Sequence, residues 1–472
     1  MKYAYTTDAI RAAEHEVMAV VGDDALMQIA ARGLAVACAQ RLRRHRDKLT
    51  GARVLVIVGP GNNGGDGLFA AAWLARRGVS VSLWQITDQV HPAGWRAALA
   101  AGVRTLPGSP TTGFDMIIDA GFGIGGRDGI DGPLARFADA CRGVCDVVAV
   151  DLPSGLGVET VRPTKPVFEA DATVTFGAWK PSLLLTPARA SAGEVSFVDI
   201  GLHPHDPVVA QWEDRDVAAV WPFPTSRSDK YARGVVGLDA GSPDYPGAGL
   251  LAVGGAVYAG AGMVRFLGPD LVRGEVIAQF PSVVHGDGRC QSYLCGPGWG
   301  SADHLRDRLA GRLASGRAMV IDADALMLLP ARLHRENLLT PHAGELARLL
   351  NIDRASVEHD PLAAVRTAAD RTGATVLLKG ATQYVATPGE RCVHVAVQGP
   401  GWTGQAGSGD TLAGICAALL AAGLDARTAA LAGASVQAIT ARNHPGPHPP
   451  NEIARRLPDT IAKLEQLAQE NH

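Results

Sequence analysis

The chain has 472 residues, 47% of them hydrophobic and 19% charged, with a net charge of −3. That length exceeds one ordinary core and predicts two or more domains. The near-neutral balance offers no broad basic face, which argues against nucleic acid and anionic membrane as partners, and no apolar run is long enough to span a bilayer.

Seven cysteines are scattered along the chain. Cys141 and Cys145 form the one close pair and have no neighbouring histidine, which argues against zinc. Met1 to Tyr5 lacks an apolar signal core. Reduced thiols in a cytoplasmic protein are expected.

The first elements are helical. Thr7 is a plausible cap for a helix over Asp8 to Met18, and Ala25 to Arg44 reads as a second helix. Strands are then expected at Val54–Val58, Val79–Leu83, Met116–Asp119, Val147–Asp151 and Ala172–Phe176. Helices are expected at Leu68–Arg77, His91–Ala101 and Leu134–Arg142. Such alternation predicts a doubly wound, Rossmann-like parallel sheet.

Three of these strands end in chemistry. Val58 runs into Gly59-Pro60-Gly61-Asn62-Asn63-Gly64-Gly65-Asp66-Gly67, read as a loop whose glycines admit positive φ and bring backbone close to a ligand. Asp119 is followed by Ala120-Gly121-Phe122-Gly123-Ile124-Gly125. Asp151 opens Asp151-Leu152-Pro153-Ser154-Gly155. Ligands of open parallel sheets bind at the carboxyl ends of strands. Asn63, Asp119 and Ser154 can therefore supply oxygens to one cation, and Asp151 is placed for base chemistry. The bland alternative is a glycine-rich turn with strand-end aspartates acting as caps.

These segments, with Thr173-Val174-Thr175-Phe176-Gly177 and Lys180-Pro181, resemble the NAD(P)HX epimerase family over residues 1–215. The resemblance implies a substrate, NADHX or NADPHX, lined by Asn62, Asn63, Gly64, Gly65 and Asp66. It also implies lining by Gly123, Ile124, Gly125, Gly126, Arg127, Asp128 and Gly129. It implies K⁺ on Asn63, Asp119 and Ser154, and Asp151 as substrate contact and proton-transfer group. The family's usual Gly-Thr-Gly reads Gly123-Ile124-Gly125 here.

Around Gln211 to Arg227 the alternation breaks at Trp221-Pro222-Phe223-Pro224, and a domain boundary is expected there. A second series follows, with strands at Val235–Asp239, Met263–Leu267, Tyr293–Cys295, Met319–Asp322 and Thr375–Leu378. Helices are expected at Ala248–Ala261, Ala302–Ala314, Gly344–Leu350, Thr411–Ala421 and Ala426–Thr440, with a last surface helix from Ile453 to Glu470.

Ala406-Gly407-Ser408-Gly409-Asp410 places backbone N–H groups and one carboxylate at a helix start. This suits a phosphoryl group beside a base that removes a hydroxyl proton. An aspartate-capped helix is the alternative. Gly296–Gly300, the segment around His342, and Leu378-Lys379-Gly380 lie at further strand ends.

Together with Ile321-Asp322-Ala323-Asp324-Ala325-Leu326, these segments resemble the NAD(P)HX dehydratase family from about Ser228 to Thr440, which implies a ribokinase-like α/β domain over residues 228–472. The resemblance implies hydrate contacts at Ala248, Gly300 and His342, and Asp410 as the catalytic acid–base. It implies nucleotide contacts at Lys379, Gly380, Ala381, Thr382 and Gln383, and at Gly407, Ser408 and Gly409. It implies ADP, or ATP, with Mg²⁺. Two alternatives stand beside this bifunctional reading: a ribokinase-like small-molecule kinase fused to a cofactor-binding domain, and a sensor with an inactive site. A homo-oligomer is expected.

Overall fold

The computed structural model describes residues 1–46, 48–301 and 304–470. The chain divides into two compact units, Tyr3–Val208 and Val209–His472, the second joined by Met1–Lys2. Among the described residues no helix is long and apolar enough to cross a membrane.

The N-terminal unit is built on a parallel sheet. Its strands are β1 (Arg53–Val58), β2 (Ser80–Gln85), β3 (Arg104–Thr105), β4 (Met116–Ala120), β5 (Asp146–Val150), β6 (Ala172–Phe176) and β7 (Glu194–Val198), in the order β3-β2-β1-β4-β5-β6-β7. The strands are continuous apolar runs because both faces are covered: every residue of β4 and β6 is buried. Helix α1 (Thr7–Val21) is capped by Thr6, whose hydroxyl accepts from the Ala9 N–H, one residue earlier than expected. Helix α2 (Asp23–Arg46) supplies Leu34, Ala35 and Cys38 to the core beneath β1.

The glycine segment expected as a loop is a helix. Gly61–Ala75 (α3) begins directly after Pro60. Of the glycines in Gly61–Gly67 only Gly61 has a positive φ, 71°. The others serve close packing. A Cβ on Gly64 would lie 2.2 Å from the Gly59 carbonyl oxygen, and one on Gly67 would lie 2.4 Å from the Ala120 Cβ. Glycine here lets the helix start press against the ends of β1 and β4.

The C-terminal unit has a larger sheet. Its strands are β8 (Val209–Gln211), β9 (Val235–Asp239), β10 (Met263–Phe266), β11 (Val284–His285), β12 (Ser292–Cys295), β13 (Ala318–Ile321), β14 (Leu338–Leu339), β15 (Thr375–Leu378), β16 (Tyr384–Ala386) and β17 (Val393–Val395). They run in the order β8-β17-β16-β15-β14-β13-β12-β9-β10-β11. Pairing is parallel except for the antiparallel steps β15–β16 and β16–β17. Helices Pro246–Tyr258, Ser408–Ala421 and Ala426–Asn443 bury alanine- and glycine-rich faces in one core with Trp212 and Trp221. The first two residues of the helix expected over Ala302–Ala314 lie outside the described residues. The helix that follows is Leu305–Leu313.

The expected boundary is displaced. Residues 209–215, assigned by sequence to the N-terminal domain, belong to the C-terminal unit. Val209–Gln211 pairs in parallel with Val393–Val395. The helix Asp214–Val220 buries Val217 and Ala218 in one cluster with the buried tryptophans, Trp212 at 7% exposure and Trp221 at 6%. The prolines that suggested a linker follow this helix rather than separate domains.

Candidate active sites

In the N-terminal unit a cavity of about 590 Å³ opens at the carboxyl ends of the strands. Asn62, Asn63 and Asp66 line it from the first turns of α3, Phe122 to Gly126 from the loop after β4, and Asp151 from the end of β5. Gly64 and Gly65 are buried in packing instead. Arg127, Asp128 and Gly129 lie outside the cavity lining. Arg127 is 68% exposed and pairs with Asp131, while Asp128 accepts from the Thr160 hydroxyl at 3.1 Å. Ile124 both lines the cavity and packs on the cluster of Ile10, Leu152 and Leu183. The residue that departs from the usual threonine is thus held by an apolar wall.

Asp151 sits at φ 65°, a left-handed conformation that a non-glycine residue adopts at a cost of about 1–3 kcal/mol. The surroundings over-determine it. Its Oδ1 accepts from the Thr175 hydroxyl at 3.1 Å, the Phe176 N–H at 3.2 Å and the Lys180 ammonium. Lys180 is 1% exposed and also donates to Thr175 Oγ1 at 2.9 Å and to the Phe176 carbonyl at 3.1 Å. All three partners come from the next strand, β6, and its exit. Sequence reading quoted Lys180 within a motif but did not place it in the site. It missed Arg11 and Glu14 altogether, both of which α1 brings to the cavity lining.

Asp66 is 8% exposed, and its Oδ1 has no partner. Burial first, then the charges of Asp151 and Glu14, push its carboxyl well above the usual carboxylate range. Glu14 is raised as well, by burial and by Asp151.

Asp119 and Ser154 meet behind the cavity wall. The Ser154 hydroxyl donates to Asp119 Oδ1 at 2.6 Å and accepts from the Phe122 N–H at 3.0 Å. The Ser154 N–H donates to Asp119 Oδ2 at 2.7 Å. Asp119 is fully buried, its three donors are all neutral, and burial pushes its carboxyl up to about 6. Asn63 reaches the same loop: a Cβ on Gly123 would lie 2.8 Å from its Oδ1, and its buried Nδ2 has no partner. Turning that amide over would present an oxygen in place of the orphaned nitrogen. A buried carboxylate without a counter-charge, ringed by hydroxyl and amide groups, is the donor set that a monovalent cation takes.

In the C-terminal unit, Asp410 lies in the first turn of Ser408–Ala421, whose N-cap is Gly407 at φ 86°. No side chain caps this helix, so Asp410 is not an aspartate cap. Lys379, at the exit of β15, donates to Asp322 Oδ1 at 2.7 Å, and its Nζ lies 3.0 Å from where a Gly409 Cβ would be. Burial and then the charge of Asp322 push Asp410 up to about 7, with Lys379 opposing. Asp322 Oδ2 is buried without a partner. Asp324 accepts from the Gly300 N–H at 2.8 Å, and Ala323 between the two aspartates has φ 48°. Asp322, Asp324 and Glu345 all act electrostatically on Asp410, and sequence reading had given none of them a role.

The remaining residues gather around this centre in part. Gly298 packs against Ala248 and Tyr245, bringing the Gly300 loop beside the start of Pro246–Tyr258. His342 caps the helix Ala343–Leu350, its Nδ1 accepting from the Gly344 N–H at 3.0 Å, and its segment bridges to Lys379. The half-exposed ring therefore has a structural duty. Thr382 is buried, as is Gln383 Oε1, which has no partner, whereas Gly380 and Ala381 form the turn between β15 and β16. Among the described residues no group of three or more His, Cys, Asp or Glu is poised to hold a metal.

Two family profiles match the chain. One, described as YjeF-related protein N-terminus, covers residues 23–182, and the other, described as NAD(P)H-hydrate dehydratase, covers residues 236–463. The bifunctional NAD(P)H-hydrate repair enzyme Nnr of Mycobacterium tuberculosis is 40% identical over 443 residues, 91% of either chain. That of Synechocystis is 32% identical over 82% of this chain and 80% of its own. Among solved structures, the ADP/ATP-dependent NAD(P)H-hydrate dehydratase of Bacillus subtilis, co-crystallized with ATP/Mg²⁺, aligns with TM-score 0.51 and 23% identity. It covers 54% of this chain and 99% of its own. A ribokinase-like superfamily protein of Enterococcus faecalis aligns with TM-score 0.51 and 21% identity, covering 56% and 99%. These structural likenesses establish a ribokinase-like fold.

Proposed function

This chain belongs to the family of bifunctional NAD(P)H-hydrate repair enzymes, and on that premise we propose which of its residues do the work. The N-terminal unit interconverts the R and S hydrates of NADH and NADPH. The C-terminal unit dehydrates the S epimer with a nucleotide as co-substrate. The observation that carries this reading is one buried, lysine-paired carboxylate constellation in each unit, Asp151 with Lys180 and Asp322 with Lys379.

In the dehydrating unit Asp410 takes the proton of the C6 hydroxyl. The hydroxyl oxygen attacks the terminal phosphorus of the nucleotide, and the phosphoanhydride bond breaks. With ADP, which we favour, AMP leaves. The C6–O bond then breaks, phosphate departs with the electron pair, and loss of a C5 proton restores the dihydropyridine. The N–H groups of Gly407 and Gly409 face the phosphoryl group, where fixed dipoles stabilise developing charge without reorganising, while the Ser408 N–H donates to the Gln405 carbonyl. Lys379 adds positive charge beside Gly409. Ala248, Gly300 and His342 hold the hydrate. Mg²⁺ fits as an ion carried in on the nucleotide phosphates, with Asp322 Oδ2, the unpartnered oxygen of the lysine-paired carboxylate, available to it.

In the epimerising unit Asp151 contacts the hydrate and moves its proton. K⁺ fits on Asn63, Asp119 and Ser154, where it would neutralise the buried carboxylate and fix the Gly121–Gly123 turn. Incubating mixed hydrate epimers with the chain and ADP or ATP tests the whole reading. Recovery of dihydronicotinamide absorbance from both epimers is expected. A stable phosphorylated hydrate would instead mark a kinase, and binding without turnover would mark a sensor.

A further inference from the structure

The epimerising cavity holds a carboxylate, Asp66, to which the roles above give no chemistry beyond lining the substrate. Asp66 enters it from α3 and Asp151 from the end of β5, so two carboxylates from separate elements line one space. Their environments differ. Asp151 Oδ1 accepts from a buried ammonium, a hydroxyl and an N–H. Asp66 is more than nine-tenths buried, and its Oδ1 has no partner. A buried oxygen in that state is poorly satisfied as a charged acceptor and better as part of a neutral carboxyl.

We propose that Asp66 is the proton donor of the epimerising site, delivering a proton to N1 of the hydrated ring as its N1–C6 bond opens. The inference rests on the epimerase reading of this unit. The stereocentre at C6 carries both a hydroxyl and the ring nitrogen, and inverting it requires one bond at C6 to break. Asp151 takes the hydroxyl proton, the C6–O bond becomes a carbonyl, and the N1–C6 electron pair goes to N1, where the Asp66 proton joins it. The open aldehyde turns about its C5–C6 bond. N1 then attacks the other face, returning its proton to Asp66 while the new alkoxide recovers a proton from Asp151. Nothing is oxidised or consumed, as an epimerisation requires. Two carboxyls in one cavity, one paired with a buried lysine and the other with an unpartnered oxygen, suit the two halves of an acid–base pair.

The groups facing Asp66 fix the direction of its response. Glu14 from α1 and Asp151 from the end of β5 are the charges that act on it; Arg11 of α1 also lines the cavity, Lys180 is paired with Asp151, and His91 packs on Gly65. Glu14 and Asp151 both hold the Asp66 proton in place, with burial the larger cause.

The test follows epimer exchange by chromatography across pH. In the wild type, exchange falls on the alkaline side as Asp66 loses its proton. Asp66→Asn should slow exchange by about 10²–10⁴-fold, the usual contribution of a positioned acid. Its KM should change little, and the alkaline fall should vanish from what activity remains. Dehydration of the S epimer, run in the other unit, reports that the chain is intact. Glu14→Gln is the second variant, needed should Asp66→Asn not fold. Removing the Glu14 charge should move the alkaline fall to lower pH. Near-normal exchange in Asp66→Asn with the alkaline fall retained would overturn the proposal, as would a fall unmoved by Glu14→Gln. A wild-type chain that exchanges no epimers would overturn the epimerase reading and the proposal with it.

Discussion

Asp410→Asn keeps the side chain's size but removes its ability to accept a proton. A general base aligned on a hydroxyl contributes about 10²–10⁴-fold, roughly 3–5 kcal/mol of barrier. The structure adds a pH signature. With the Asp410 carboxyl at about 7, half of it is ionised at neutrality and about nine-tenths one unit higher. Dehydration by the wild type should therefore nearly double between pH 7 and 8 and fall about tenfold per unit well below 7. In Asp410→Asn that acid limb should be gone along with most of the rate. Nucleotide affinity should survive, because Gly407 is the N-cap and no side-chain cap bond is lost. Lys379→Met should move the limb upward, since the ammonium lowers Asp410. The assay is absorbance recovery on purified S hydrate with ADP, beside ADP titration calorimetry. Near-normal dehydration by Asp410→Asn would remove it from the mechanism. Lost ADP binding would recast it as a structural residue.

Lys180→Met leaves the buried Asp151 uncompensated and should destabilise the N-terminal unit by about 3–5 kcal/mol in urea unfolding, with Asp151→Asn restoring part of it; additive effects of the two changes would refute the coupling. Asp119, raised from 3.8 to about 6, favours the folded state in its protonated form. The stability it contributes is present below about pH 4 and is lost as pH rises through about 6, by roughly 3 kcal/mol at two units of 1.36 kcal/mol each. Added K⁺ should thus raise the melting temperature at pH 8 in the wild type and not in Asp119→Asn; equal effects on both would exclude this site. A fragment starting at Ser228 lacks Trp212 and Trp221, whose burial is worth roughly 4–6 kcal/mol apiece, so it should melt well below one starting at Val209. Equal melting temperatures would remove residues 209–221 from the C-terminal unit's core.

The framework was legible in the sequence because parallel strands buried on both faces are written as apolar runs. Val54–Val58, Ala172–Phe176 and Thr375–Leu378 read directly as strands, and the residues that follow them are where both sites lie. Three features were not. Gly61–Gly67 has the composition of a loop, yet its glycines are demanded by contacts with Gly59 and Ala120, which no local pattern reveals. Val209–Gln211 is too short to show a period, and its partner Val393–Val395 is remote in the chain. Glu14 on α1 looks like any acidic residue on a helix; only the fold brings it to a cavity shared with Asp66.

The two units share an electrostatic plan that no shared sequence encodes. In each, a lysine at the exit of a strand neutralises one aspartate: Lys180 after β6 pairs with Asp151, and Lys379 after β15 pairs with Asp322. In each, a second carboxyl stands near that pair in the first turns of a helix, Asp66 in Gly61–Ala75 and Asp410 in Ser408–Ala421. Burial raises the second carboxyl, and the charge of the lysine-paired aspartate raises it further. The consequence differs with the balance of charge. At Asp410 the lysine partly cancels the rise and leaves the group near 7, able to act as a base at neutrality. At Asp66 the next cause is a further acid, Glu14, which raises the carboxyl in the same direction as burial does. On the proposed roles, the neighbouring charge beside each lysine–carboxylate pair is what would separate a base in one unit from an acid in the other.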